Sequence, residues 1–157
     1  MDTNAFIEAQ RTACLKALAG HYALHTVQEC WDELGRGNPG DRLYVAVDRE
    51  WLAPAVTLHA PTKAQQAQAR LRAARFGELD AGERDLLAWC AALNSTAFFL
   101  TTGDRAAVAA ACELGLKDRL RSLEELAFAA GLKPALARHF TKGWLADIRT
   151  NFLFDSL

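Results

Sequence analysis

Residues Thr96–Leu116 read TAFFLTTGDRAAVAAACELGL, and this stretch decides the fold class. The apolar run Ala97–Leu100 fits a buried parallel strand, because a strand covered on both faces carries continuous rather than alternating apolar residues. Thr101–Asp104 follows as a tight turn. Arg105–Leu114 has helical composition, and Gly115 is placed to stop it. Strand, turn and helix make half of a βαβ unit. In open α/β sheets, ligands gather beyond the carboxyl ends of the strands, so Asp104 is expected at a functional edge. Other acids delivered to that edge would make a site of it.

Composition bounds the rest. The 157-residue chain is 51% hydrophobic and 24% charged, which suits one globular domain with a real core. A net charge of −1 gives no global basic field for nucleic acid, although a local stripe would suffice. No apolar run approaches the length of a membrane span, and no signal-peptide pattern opens the sequence. Cys14, Cys30, Cys90 and Cys112 are widely spaced and form no CxxC pair. Four buried free thiols in a reducing cytoplasm are therefore expected, not a disulfide or zinc framework.

Outward from the central stretch, strand and helix signals alternate. A helix is expected over Ala5–Ala19, ending at Gly20, then a short strand at Tyr22–His25. Thr26 and Glu29 have capping-box spacing, which would start a helix running through Trp31 and Leu34. Gly35–Gly40 matches GxGxxG, but it follows a helix and does not join a strand to a helix, so it reads as a loop. Leu43–Val47 is ambiguous between strand and helix. Ala55–His59 reads as a strand, and Lys63–Phe76 as a helix. Asp80/Glu83 and Ser122/Glu125 are further capping boxes. Pro134–Phe140 and Trp144–Phe154 give a helical tail from about residue 132. With no repeat and no linker, 1–157 is expected to be one domain with a parallel sheet covered on both faces.

The acids recur at helix starts: Asp2, Glu29 and Glu33, Asp80 and Glu83, and Asp104. Capping alone accounts for any one of them. Glu29 is the partner of Thr26 in its capping box, whereas Glu33, on the same face, has no such duty. Glu83 points back towards the helix start. Two unit charges about 4 Å apart, at an effective dielectric near 20, repel by roughly 4 kcal/mol. Converging carboxylates therefore need a cation or a raised pKa. Oxygen-only ligands favour Mg²⁺ or Mn²⁺, and such an ion beside a phosphate supports phosphodiester hydrolysis. The four histidines lack metal-ligand spacing, the serines lie outside GxSxG, and there is no Walker A motif.

Several segments resemble a known family. Asp2–Ile7 (DTNAFI) resembles the opening of PIN-domain ribonucleases. Thr26–Leu34 (TVQECWDEL) is similar to the second family motif, with the acid at Glu33. Leu79–Trp89 (LDAGERDLLAW) resembles the GE-type third motif, with the acid at Glu83. Leu100–Asp104 (LTTGD) resembles the fourth. Gly131–Ile148 (GLKPALARHFTKGWLADI) resembles the tail of one toxin-like subgroup. The resemblance implies a three-layer α/β/α sandwich around a mainly parallel sheet. It also implies Mg²⁺ or Mn²⁺ at an acidic pocket and endoribonuclease activity on RNA. Many members of that family are toxins restrained by a small antitoxin protein, and many are homodimers.

On this reading Asp2, Glu33, Glu83 and Asp104 are the catalytic and metal-binding residues. Asn4 and Thr102 orient them or a bound water, and Asp80 is the reserve for Glu83. Arg36, Arg70, Arg72, Arg75 and Arg105 are candidate phosphate contacts. One departure stands out. The family usually has an apolar strand before its first Asp, and here only Met1 precedes Asp2, so the start lies upstream or the strand is cut short. The alternative expectations are an inactive PIN-like domain that binds protein or RNA, and a plain α/β partner protein whose acids are only caps.

Overall fold

A computed structural model describes residues 1–155, and it is mixed α/β. In chain order the elements are α1 (Thr3–Arg11), α2 (Leu15–His21), β1 (Leu24–Val27), α3 (Gln28–Leu34), the single-turn α4 (Arg49–Leu52), β2 (Val56–His59), α5 (Lys63–Arg72), α6 (Ala81–Ala91), α7 (Arg105–Glu113), α8 (Leu123–Ala129) and α9 (Lys142–Asp155).

The local signals that hold are those satisfied within one turn of helix. Asp80 and Glu83 bond reciprocally at the start of α6, and Ser122 and Glu125 do so at the start of α8. A further capping box, Thr62 with Gln65, begins α5. Gly115 and Gly131 follow α7 and α8 with φ of 82° and 84°, the left-handed geometry that glycine adopts without steric cost.

Several expectations are corrected. The helix over Ala5–Ala19 is two helices. The Thr12 hydroxyl donates back to the Glu8 carbonyl at 2.8 Å, and Ala13 takes a left-handed φ of 57°, which ends α1. The strand placed at Tyr22–His25 lies at Leu24–Val27. Thr26 is therefore a strand residue, not a cap. Its hydroxyl donates to the Met1 carbonyl at 2.8 Å, and α3 starts behind Val27 with no side-chain cap. Glu29, freed of capping, accepts from Arg36 at 2.9 Å. Leu43–Val47 forms neither strand nor helix. Within Lys63–Phe76 the α-helix stops at Arg72, and a tighter turn, Ala74–Glu78, carries Phe76 into the core. In Pro134–Phe140 only Arg138–Phe140 makes a helical turn.

The largest correction falls on the central stretch. Strands β1 and β2 pair in parallel, Leu24 opposite Val56 through Val27 opposite His59. Ala97–Leu100 does not become a third strand among the described residues. Leu100 alone bridges to Leu120, donating to the Arg119 carbonyl at 2.8 Å and accepting from the Arg121 amide at 2.9 Å. The reason is a missing neighbour. Between β1 and this segment lies a cavity of about 680 Å³, lined by Leu24, His25, Leu86, Trp89, Phe98 and Leu100 among others. With no backbone beside it, Ala97–Phe99 has no ladder to join, and Phe99 remains 53% exposed.

Met1 and Asp2 cross this gap by backbone hydrogen bonds. The Met1 amine donates to the His25 carbonyl at 2.9 Å, and the Asp2 amide donates to the Thr101 carbonyl at 3.4 Å. Helices pack around this line as two apolar clusters. One gathers Leu86, Leu87, Val108, Leu114 and Leu145 from α6, α7 and α9. The other gathers Phe6, Leu15, Leu18, Leu52 and Leu123 from α1, α2, α4 and α8. All four cysteines are free; three are buried and Cys112 is half-buried. Burial pushes the Cys30 thiol up to about 11 and the Cys90 thiol up to about 12. No helix among the described residues is long and apolar enough to cross a membrane.

The left-handed Ala13 gives a test of the α1–α2 junction. Ala13→Gly should raise the unfolding free energy by about 0.5–1 kcal/mol, read from the urea midpoint at unchanged slope, because glycine occupies this backbone region without the steric cost.

Candidate functional site

Three helix starts, those of α1, α6 and α7, each fix an aspartate. Asp2 Oδ1 accepts from the Ala5 amide at 2.7 Å and caps α1. Asp80 Oδ1 accepts from the Glu83 amide at 2.8 Å and caps α6. Asp104 Oδ1 accepts from the Ala107 amide at 2.8 Å and caps α7. Capping uses one oxygen of each aspartate, so the second oxygen is available to another partner. That of Asp2 is buried and has no hydrogen-bond partner among the described residues. An unpaired buried carboxylate oxygen is costly, and a ligand at this point would relieve it.

Glu33 reaches the same region from α3. Its Oε2 accepts from the Thr3 hydroxyl at 2.5 Å, which ties it to the residue beside Asp2. It also lies against α6. A Cβ at Gly82 would stand 2.8 Å from Glu33 Oε2 and 2.9 Å from Cys30 Sγ, so only glycine lets the Glu33 carboxylate rest there. Glu83, one residue on, is buried, and its Oε2 accepts from the Asp80 amide at 3.2 Å.

Glu83 and Asp2 each lie within the electrostatic reach of neighbouring acids. Burial pushes the Glu83 carboxyl up from 4.5 to about 8, with further upward pushes from the charges of Asp104, Asp80 and Asp2. Burial also raises Asp2, opposed by the nearby Thr102 hydroxyl, which lies outside hydrogen-bond geometry with it, and by the Ala5 amide. Thr102 is itself buried, and its Oγ1 accepts from the Asp104 amide at 3.1 Å. Thr102 therefore touches the surroundings of both Asp2 and Asp104. Asn4 is exposed on α1 and makes no side-chain hydrogen bond among the described residues.

The structure thus brings Asp2, Asp80, Glu83 and Asp104 within each other's fields, with Glu33 at the α3–α6 contact. The donor set is all oxygen, which suits Mg²⁺ or Mn²⁺. As the side chains stand, no group of three or more His, Cys, Asp or Glu among the described residues is disposed to hold a metal ion.

The candidate phosphate contacts divide. Arg36 pairs with Glu29 at 2.9 Å and Arg75 with Glu113 at 2.7 Å, while Arg72 donates to the Leu114 carbonyl at 2.7 Å. Arg70 lines a separate basic hollow with Lys63 and Arg84. Arg105 borders two cavities beside Asp104.

Sequence reasoning missed Thr3 and Gly82, whose roles depend on contacts made across the fold. It also missed an aromatic stack. His25 Nδ1 lies 2.9 Å from His59 Nε2, and His59 stacks on Trp89 with centroids 4.0 Å apart. The only available signal was the parallel register that sets residue 25 beside residue 57. In comparisons with known proteins, the chain matches no protein-family model, no curated protein and no solved structure.

A raised carboxyl makes the folded state bind a proton that the unfolded state releases, so stability from this source is complete below 4.5 and is lost as pH rises through about 8. Glu83→Gln keeps an oxygen for the Asp80 amide and removes the titration. Its unfolding free energy should match the parent below about pH 4.5 and exceed it by on the order of 1–3 kcal/mol above about pH 8, measured by urea unfolding in chelator.

Proposed function

We propose that this chain is a metal-dependent endoribonuclease of the PIN-domain type, a three-layer α/β/α sandwich that hydrolyses RNA phosphodiester bonds at the acidic edge. The observation that carries the proposal is the gathering of Asp104, Asp80 and Asp2 around the buried Glu83 carboxyl, which burial and then their charges push up to about 8, together with the unpaired buried oxygen of Asp2. Carboxylates that serve only as caps have no need to face one another.

Asp2, Glu33, Glu83 and Asp104 would hold Mg²⁺ or Mn²⁺ directly or through water. When bound, the ion supplies positive charge that makes water a better nucleophile and a phosphodiester a better electrophile. The chain's own contribution is orientation. Capping bonds fix one oxygen each of Asp2 and Asp104 and so aim the other. The Thr3 hydroxyl and the space over Gly82 set the Glu33 carboxylate. Thr102 holds the Asp104 backbone. Asp80 locks Glu83 through the capping box and stands in reserve for it. The amino ends of α1, α6 and α7 supply partial positive charge to these carboxylates. A cytoplasmic setting, restraint by a small antitoxin protein and pairing of two copies extend the same proposal and rest on the resemblance alone.

A second reading is an inactive PIN-like domain that binds RNA or protein. It is favoured by the commitment of one oxygen in each of Asp2, Asp80 and Asp104 to a helix cap.

Titration with Mn²⁺ separates the two. On the first reading Mn²⁺ raises the melting temperature with concentration, more strongly at about pH 8 than at about pH 5, because the ion competes with the Glu83 proton. No shift, with no cleavage of generic single-stranded RNA in Mn²⁺, leaves the inactive module. Asp104→Asn should abolish cleavage at an unchanged melting temperature in chelator, since asparagine caps as well as aspartate. Gly82→Ala should stay folded, because the crowded Glu33 carboxylate can swing aside, and should weaken Mn²⁺ binding by about 10-fold.

A further inference from the structure

Beside Asp104 lies a cavity of about 610 Å³ whose walls include Arg105, Arg138, His139, Trp144 and Asp147. This volume is in the usual range for small-molecule sites, about 300–1,000 Å³. Two guanidinium groups face it, and neither Arg105 nor Arg138 makes a side-chain hydrogen bond or ion pair among the described residues. Two neighbouring arginines behave differently. Arg72 and Arg75 are both bound, to the Leu114 carbonyl and to Glu113. Two aromatic rings share the cavity with the free cations. His139 and Trp144 meet edge to face, with centroids 6.4 Å apart and planes at 73°. His139 also lies tilted against Phe140, with centroids 4.4 Å apart, so the cavity is edged by aromatic surface of the kind on which a planar group stacks.

The cavity is joined to the acids by direct packing. A Cβ at Gly103 would stand 2.6 Å from Phe140 Cε1 and 2.8 Å from His139 Cδ2. The turn that carries Asp104 is thus seated on the turn that carries Arg138 and His139. Arg105, Ile148 and Asn151 also border an adjoining hollow of about 350 Å³ that Asp104 lines. A chain with a charged backbone and planar side groups could pass from the carboxylates, along Arg105, into the larger cavity.

We propose that this cavity is the subsite for one unpaired nucleotide of single-stranded RNA flanking the cleaved bond. Arg105 and Arg138 take its phosphodiester, and the His139 and Trp144 rings stack its base. Free guanidinium groups suit phosphate oxygens, and aromatic faces suit any exposed base but not one held inside a duplex. Asp147, on the same wall, disfavours a second phosphate and can accept from a base amino group. The assignment of the ligand as RNA rests on the nuclease proposal; the phosphate-and-ring geometry does not.

The test reads binding apart from cleavage. Full-length Asp104→Asn protein in chelator is titrated into a fluorescein-labelled single-stranded RNA octamer and into the same octamer annealed to its complement, over a range of salt. The single strand should bind more tightly than the duplex. Adding Arg138→Ala should weaken binding of the single strand and reduce the slope of log affinity against log salt by about one. Trp144→Phe should keep most of the affinity, and Trp144→Leu should lose it at an unchanged salt slope. Lys16→Ala, a cation held over Trp51 and outside this cavity, is the control and should change neither value. Unchanged affinity and slope in Arg138→Ala, a preference for the duplex, or no binding by the single variant overturns the subsite, even if wild-type protein cleaves RNA. Arg138-dependent binding with no cleavage by wild-type protein in Mn²⁺ keeps the subsite and removes the nuclease.

Discussion

Two backbone hydrogen bonds, made by Met1 and Asp2, connect the β1–β2 side of this molecule to the Leu100–Leu120 side. The two apolar clusters meet at β1 and α3, which give Val27 and Cys30 to one and Leu24, Trp31 and Leu34 to the other, and this crossing ties the same region to the Leu100–Leu120 bridge through the backbone. It also fixes the acids. Asp2 caps α1, Thr101 and Thr102 precede Asp104, and Thr26 in β1 bonds to Met1 just before α3 delivers Glu33. The position of each carboxylate depends on the others through a short run of main chain. That is why burial and repulsion accumulate here.

The same geometry dissolves an apparent conflict between structural and chemical roles. An aspartate at a helix start is often taken to be either a cap or a ligand. Here the cap orients the group. One oxygen is held by an amide, the side chain loses rotational freedom, and the cap leaves the other oxygen uncommitted. Glutamates at the same edge are held differently, Glu83 by the Asp80 amide and Glu33 by the Thr3 hydroxyl. Five acids, four at the starts of α1, α6 and α7 and Glu33 near the end of α3, are thereby held without any carboxylate bonding another.

What could be read from the sequence follows the range of the interaction. The Asp80/Glu83 and Ser122/Glu125 boxes close within a single turn, so four residues carry the whole signal. Asp104 was legible for the same reason. Thr26–Glu29 has the same spacing, yet the parallel neighbour across the sheet takes Thr26 into β1 and the Met1 carbonyl takes its hydroxyl. A strand at Ala97–Leu100 has the right composition, but a strand is a property of two or more segments, and the gap beside β1 removes the second one. Gly82 and Thr3 matter only because Glu33 reaches them from a distant part of the chain. Nothing in their local sequence announces that contact.

The cavity between β1 and Phe98–Leu100 has a practical side. The Met1 amine is one of its wall groups and is hydrogen-bonded to His25. A bulkier side chain at Leu24 or Leu86, or a small apolar molecule lodged in the space, would press on the same short run of main chain that carries Asp2 without touching any of the acids.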